Sequence, residues 1–296
     1  MHQFSFHKDE RLKISFTMKK SLILILIFIS SITFLLIFNE TVQKDILYFD
    51  HLFINRYIPC ILPFIIFNNL IYKFVDFKEL YFSLHKKTNL IFDIIIIFLV
   101  IFNGVPSNLI LLKQLENQGI YSKEKIKSII NNFSTISFPF IYSITNKNIL
   151  FISLLIIIEI NFYLLTNIKL NTYSINKNIN KEKLTNFIIS YLSTIYLFSI
   201  LVVLLSIPLH LVINDPTIYL FLGLFELTFP TIILKNNNLY IYIYFLLSFT
   251  SFSLVYQLKK VDNDFQIKTH IKKRLFIASI TTLLMIIFSL SKIIPH

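Results

Sequence analysis

The sequence predicts an all-α polytopic membrane protein, with about seven spanning helices and two broken or re-entrant hairpin segments in two similar halves. Three observations predict it. Hydrophobic residues make up 55% of the 296 and charged residues only 15%. The mean hydropathy is +0.69, so the chain holds more apolar surface than a water-soluble core can hide. A bilayer removes such surface from water at about 25 cal/mol for each Å². The apolar residues come in runs near the roughly 20 that cross a hydrocarbon core. Basic residues stand between those runs in short clusters, where topology determinants fall.

Residues 1–20 form a basic tail expected on the cytoplasmic side. Met18 offers a second start that would leave what precedes it as an upstream extension. Residues 21–38 are long enough to span, whereas a signal peptide has a shorter apolar core and a small-residue cleavage site, so a retained first helix is expected. From residue 21 to 296 the chain reads as a single transmembrane domain with halves at about 57–147 and 186–296. Its further apolar runs lie at 57–75, 89–112, 129–146, 149–168, 186–213, 217–234, 239–258 and 275–293.

Charge decides which of them cross. The basic clusters are Lys8 to Lys20, Lys73 to Lys87, Lys113 to Lys127, Lys169 to Lys183 and Lys259 to Arg274. If every run crossed, the third and fifth clusters would fall outside. Making 89–112 and 217–234 re-entrant puts all five inside, with the N-terminus cytoplasmic, the C-terminus outside and the charge-balanced loop 39–56 outside. Both chosen runs are also irregular, carrying Phe102 to Asn108 (FNGVPSN) and Gly223 to Pro230 (GLFELTFP). Glycine permits positive φ, and proline lacks the amide that would complete the helical ladder. Pro59, Pro63, Pro139, Pro208 and Pro230 are the expected structural breaks. Paired broken helices in two halves point to a transporter-like binding site.

The net charge of +12 does not make a nucleic-acid binder, because the basic residues form neither a face nor an arm. Abundant Ile, Phe, Lys, Asn and Tyr suit an AT-biased genome, which inflates the Lys count. One cysteine, Cys60, excludes an intrachain disulfide, and the seven scattered histidines offer no metal-ligand spacing. No metal, no cofactor and no catalytic residues are expected, since no nucleophile–base pair or phosphate-cradling loop occurs.

Four stretches in order resemble the sporulation integral membrane protein family, whose members carry gate-type nucleoside-recognition domains. Tyr57 to Ile71, with Pro59, Pro63 and Phe64, resembles its P-x-x-x-P-F segment. Asn103 to Ile141 is similar to its GYP-x-GA break, amphipathic stretch and Asn- and Gly-Pro-bearing segment. Gly223 to Pro230 resembles G-L-x-E-x-T-x-G. Ser248 to Lys260 resembles GG-x-S-V-x-x-Q, with Gln257 as the matched polar residue. The chain departs at Gly104 to Asn108, which lacks the family's second glycine, at Ser134 to Phe138, and at Thr250–Ser251, where the family has Gly-Gly. The resemblance implies a polytopic inner-membrane protein with re-entrant hairpins, a transport or gating role, and a family link to spore cortex formation.

Ionisable residues inside apolar runs cost about 2.5–3.5 kcal/mol at a helix centre, which makes Asp93, Glu159 and Glu226 candidates. Glu226 matches the family's Glu within a broken run and leads. Glu159 lies outside the resembled stretches, and Asp93 is placed to reach the interface or cap its helix. Gly104, Pro106, Ser107, Asn108, Gly223, Glu226 and Gln257 are the expected solute-site or gate residues. Asn68 and Asn69 read as interhelical glue, and 113–128 as an amphipathic surface linker. The expected function is a transporter or gated permeation protein of a bacterial cell (inner) membrane, with its site between 89–112 and 217–234. The competing expectation is a non-transporting scaffold acting through a protein partner. Expected partners are the lipid bilayer and an unknown small solute, with a homo-oligomer left open and nucleic acid excluded.

Overall fold

The computed structural model describes residues 26, 29–30, 33, 36–85, 89–105, 107–166, 184–212, 215–261 and 265–291. All regular structure among the described residues is helical. The tail 1–20 lies outside them. Of the expected first helix, residues 26, 29, 30, 33 and 36–38 are described, and all but Phe38, which forms a turn, are helical. The chain divides into two compact units, Met1–Tyr48 and Phe49–His296. Helix α1 (Asn39–Leu52) and a π-helical turn (Phe53–Tyr57) lead to α2 (Ile58–Phe74).

From there, α3 apart, the second unit repeats one order of elements. Proline-bearing α2 is followed by α3 (Phe77–His85), a helix broken into α4 (Asn89–Asn103) and α5 (Ser107–Asn117), another broken into α6 (Lys123–Asn132) and α7 (Phe138–Ile144), and continuous α8 (Ile149–Thr166). Proline-bearing α9 (Leu184–Val212) is followed by broken α10 (Ile218–Phe225) and α11 (Thr228–Asn236), broken α12 (Tyr240–Phe249) and α13 (Phe252–Val261), and continuous α14 (Ile267–Leu290). The expected breaks in 89–112 and 217–234 are present. Two runs expected to be ordinary spans, 129–146 and 239–258, break as well. Both are punctuated by hydroxyl residues, Ser134, Thr135 and Ser137 in one and Thr250 and Ser251 in the other, which compete for backbone partners and weaken a helix locally.

The prolines serve differently. Pro63 and Pro208 lie inside α2 and α9, where each removes one ladder bond. Pro59 and Pro139 stand in the first turns of α2 and α7, and Pro230 in the first turn of α11. At α7 and α11 a helix start leaves its first amides unpaired in any case, so proline there costs little, whereas Pro59 follows directly on the π-helical turn and sits in backbone that stays helical through Tyr57 and Ile58.

Helix α14 packs along α12 and against α8 and α6, while α9 lies against α10 and α13. The outward faces are apolar: Phe67, Leu70 and Phe74 on α2, Ile94 and Phe98 on α4, Ile157 and Leu164 on α8, Leu197 and Leu201 on α9, and Leu283, Ile287 and Leu290 on α14 are exposed. The spacing of three, four or seven residues aligns each set on one helix face. Polar side chains are instead buried, among them Asn108, Glu159, Glu226, Gln257, His270 and Arg274. An exterior of this kind suits lipid rather than water. Among the described residues, three helical stretches, Leu192–Leu209, Tyr240–Lys259 and Ile267–Leu290, are long and apolar enough to cross a membrane. The second of these contains the break at Thr250.

Candidate functional site

The first break is a backbone crossing. Gly104 closes α4 by donating to Val100 O (3.1 Å), and Val105 N then donates to Thr135 O (2.8 Å) across the second break. Gly104 has φ +64°, and a Cβ on it would lie 2.2 Å from Ser137 N. Only glycine fits both the conformation and the approach. One turn on, the buried Asn108 donates from Nδ2 to Phe133 O (3.3 Å), satisfying a carbonyl at the C-terminus of α6. Ser107 opens α5, though its side chain and all of Pro106 lie outside the described residues.

In the second half a side chain plays the corresponding part. Glu226 has extended backbone at the end of α10. Its carboxylate accepts from Thr228 N (2.8 Å), the Thr228 hydroxyl and Phe229 N (3.3 Å). These amides open α11, where the helix dipole favours negative charge. Gly223 packs one turn earlier against the Leu246 side chain. At the fourth break Thr250 stands at φ +69°, a conformation costly for a β-branched residue. Ser251 and Ser253 share a hydrogen bond of 2.7 Å. Gln257 follows one turn later, 5% exposed, and neither atom of its amide has a partner among the described residues.

Between the two halves lies a group that sequence patterning assigned elsewhere. Arg274 is 0% exposed. Its Nη1 pairs with Glu159 Oε1 of α8 at 2.6 Å and donates to Asn132 O at 3.2 Å, and its Nη2 donates to Ser248 O. Asn132 is the last residue of α6 and Ser248 the penultimate one of α12. One guanidinium thus holds a carboxylate and the C-terminal carbonyls of one half-helix from each half. Four residues before Arg274, buried His270 meets Ser134 Oγ at the second break (3.3 Å). Charge counting had placed Arg274 in the last basic cluster. The signal pointing the other way was its rarity, since the chain has three arginines (Arg11, Arg56, Arg274) among 28 basic residues, and guanidinium is the cation suited to several simultaneous acceptors.

Asp93, in the second turn of α4, binds Lys125 Nζ (2.7 and 2.8 Å) and the Tyr121 hydroxyl. The Lys125 ammonium also lies 4.1 Å from the Tyr121 ring centroid. Burial first, then the Asp93 carboxylate, pushes the Tyr121 hydroxyl well above its ordinary range, so it remains a donor. Asp93 therefore fastens helices together. Of the expected linker 113–128, its first residues belong to α5 and its last to α6, whose start Ser122 caps by accepting from Lys125 N (3.3 Å).

The expected site residues gather in two groups, with Gly104 and Asn108 bonded within the first half and Glu226 within the second. Arg274, Glu159 and His270 stand between them. Comparison with family models, curated proteins and solved structures finds no match to this chain.

Proposed function

We propose that the chain is a multi-pass protein of a bacterial cell membrane that transports or gates a small solute, related to the sporulation integral membrane proteins and their nucleoside-recognition gate domains. The observation that carries this is a polar main chain interrupted at matching places in two halves, inside an apolar exterior. Segment 89–112 enters the membrane and returns on the side it entered. What supports this is Asp93 near the start of α4 binding Tyr121 and Lys125 from beyond the end of α5. Segment 217–234 re-enters from the opposite face. Supporting it, the Tyr219 and Phe229 rings meet at 5.8 Å across the break, and Lys235 at the end of α11 donates to Ser143 O near the end of α7 (2.8 Å).

Spans are then the first apolar run, α2, α6 with α7, α8, α9, α12 with α13, and α14. All five basic clusters lie in the cytoplasm with the N-terminus. Gly104, Pro106, Ser107 and Asn108 shape one side of the solute site, and Gly223, Glu226 and Gln257 the other. The amide of Gln257, which has no partner among the described residues, offers a solute both a donor and an acceptor. Uptake of nucleosides and small anions into liposomes holding the full chain tests the function. Pro106→Ala with Glu226→Ala should abolish uptake of whichever solute enters, and unchanged uptake counts against transport. A stable co-purifying protein, with no thermal shift from any of these solutes, would favour the scaffold instead.

A further inference from the structure

We propose that Glu159 and Arg274 are a proton-operated clamp between the two halves, which makes the proton the coupling ion of the transporter. The inference rests on the transport function above for what the motion serves, but the clamp itself is argued from geometry. Arg274 reaches three acceptors on three elements, Glu159 on α8, Asn132 O on α6 and Ser248 O on α12. Two of these are helix C-terminal carbonyls, whose partial negative charge is the same at every pH. The third is a carboxylate, and it alone among the three can take a proton.

Arg274 keeps its positive charge at any pH a protein meets. With Glu159 ionised the pair is neutral, both members are buried to 1% exposure or less, and the guanidinium ties the end of α6 to the end of α12. When a proton adds to a Glu159 carboxylate oxygen, one O–H bond forms, no other covalent bond changes, and the net charge of the pair goes from zero to +1. A buried guanidinium with only two carbonyls for partners is not a stable arrangement in a dry interior. Either water enters or the half-helix ends move apart, and both outcomes loosen the joint between the halves.

Among the described residues, the surroundings supply no substitute anion. On α14 the neighbouring titratable groups are His270, one turn before Arg274, and Lys273, both basic. On α8 Tyr163 lies one turn after Glu159, its ring 5.3 Å from Phe133. On α6 Lys125 is two turns from Asn132 and already held by Asp93. On α12 Tyr244 lies one turn before Ser248 and accepts from Asn148. Glu226, the other buried carboxylate among the described residues, is occupied by the amides of α11. Protonation of Glu159 therefore leaves Arg274 without a full countercharge.

The test uses the full chain in liposomes, with Cys60→Ser and spin labels at cysteines introduced for Glu124 on α6 and Ile241 on α12, both exposed. The expected result is a label-to-label distance that shifts between mildly alkaline and mildly acidic buffer. Glu159→Gln should hold the acidic distance in both buffers, with complete loss of the shift. If Glu159→Gln does not fold, Glu159→Gln combined with Arg274→Met removes both charges and should likewise abolish the shift. A variant that moves with pH as the parent does, or a folded parent that does not move at all, overturns the clamp. The readout needs no solute, so failure of every uptake assay would sink transport and leave the clamp standing. Uptake that still follows a pH gradient after Glu159→Gln would sink proton coupling through this pair and leave transport standing.

Discussion

In the first half the chain breaks at Gly104, where an absent side chain lets Val105 N reach Thr135 O. In the second it breaks at Glu226, where a side chain supplies the partners itself. Both solve one problem, the unpaired backbone groups of an interrupted helix away from water. The first solution depends on space, since two strands of main chain meet where no Cβ fits. The second depends on chemistry, since a carboxylate replaces backbone acceptors. Volume should therefore be the sensitive variable in the first half, and acceptor strength in the second.

The largest effect should come from Gly104→Ala. The added Cβ would sit 2.2 Å from Ser137 N and 2.5 Å from Ile136 C, and backbone cannot swing aside as a side-chain end can. We expect a loss of about 3 kcal/mol or more, as for other substitutions at strained backbone sites, measured by unfolding in mixed detergent. A loss under about 1 kcal/mol would mean that the crossing is loose.

Glu226→Ala comes next. It strands two amides and a hydroxyl at the start of α11, at a cost of about 2 kcal/mol. Glu226→Gln keeps an acceptor oxygen and should lose about half as much. Equal losses for both variants would show that charge, not hydrogen bonding, holds the break.

Thr250→Gly should change stability in the other direction. Thr250 occupies φ +69°, which costs a β-branched residue about 1–2 kcal/mol. Glycine removes that strain but loses more chain entropy on folding, so a gain of about 1 kcal/mol is expected. A loss instead would indicate that the Thr250 hydroxyl bond to Phe249 O outweighs the strain.

The helical class, the proline-bearing helices and the breaks at Gly104 and Glu226 were legible because each leaves a local mark: a long apolar run, a Pro, or a Gly or Glu inside one. The breaks after Asn132 and Phe249 were not, because their marks are serines and threonines, which also sit comfortably in intact membrane helices. Asp93 was readable as a structural group from its place near a helix start. The Arg274–Glu159 pair was hidden by sequence distance, with residues 115 apart meeting only after both halves fold. A cation at the edge of a basic cluster looks like one more topology determinant. Position 274 differs because α14 begins at Ile267, so the helix carries Arg274 two turns in from its start, whereas the apolar run alone begins at 275.

Gly223→Ala sharpens the contrast at the smallest expected effect. It too places a Cβ in occupied space, 2.4 Å from Leu246 Cδ1 and 2.9 Å from Cδ2. Those atoms end a flexible side chain, which can rotate away, whereas Gly104 faces main chain. Gly223 also lies inside a helix, where alanine is favoured over glycine by about 1 kcal/mol. Repacking of Leu246 and the gain in helix propensity should nearly cancel, leaving a change within about 0.5 kcal/mol, as for substitutions that break no backbone contact. The same unfolding measurement, run beside Gly104→Ala, separates the two cases. If Gly223→Ala costs as much as Gly104→Ala, the second half is as closely packed at its break as the first, and the difference between a break made by space and one made by chemistry does not hold.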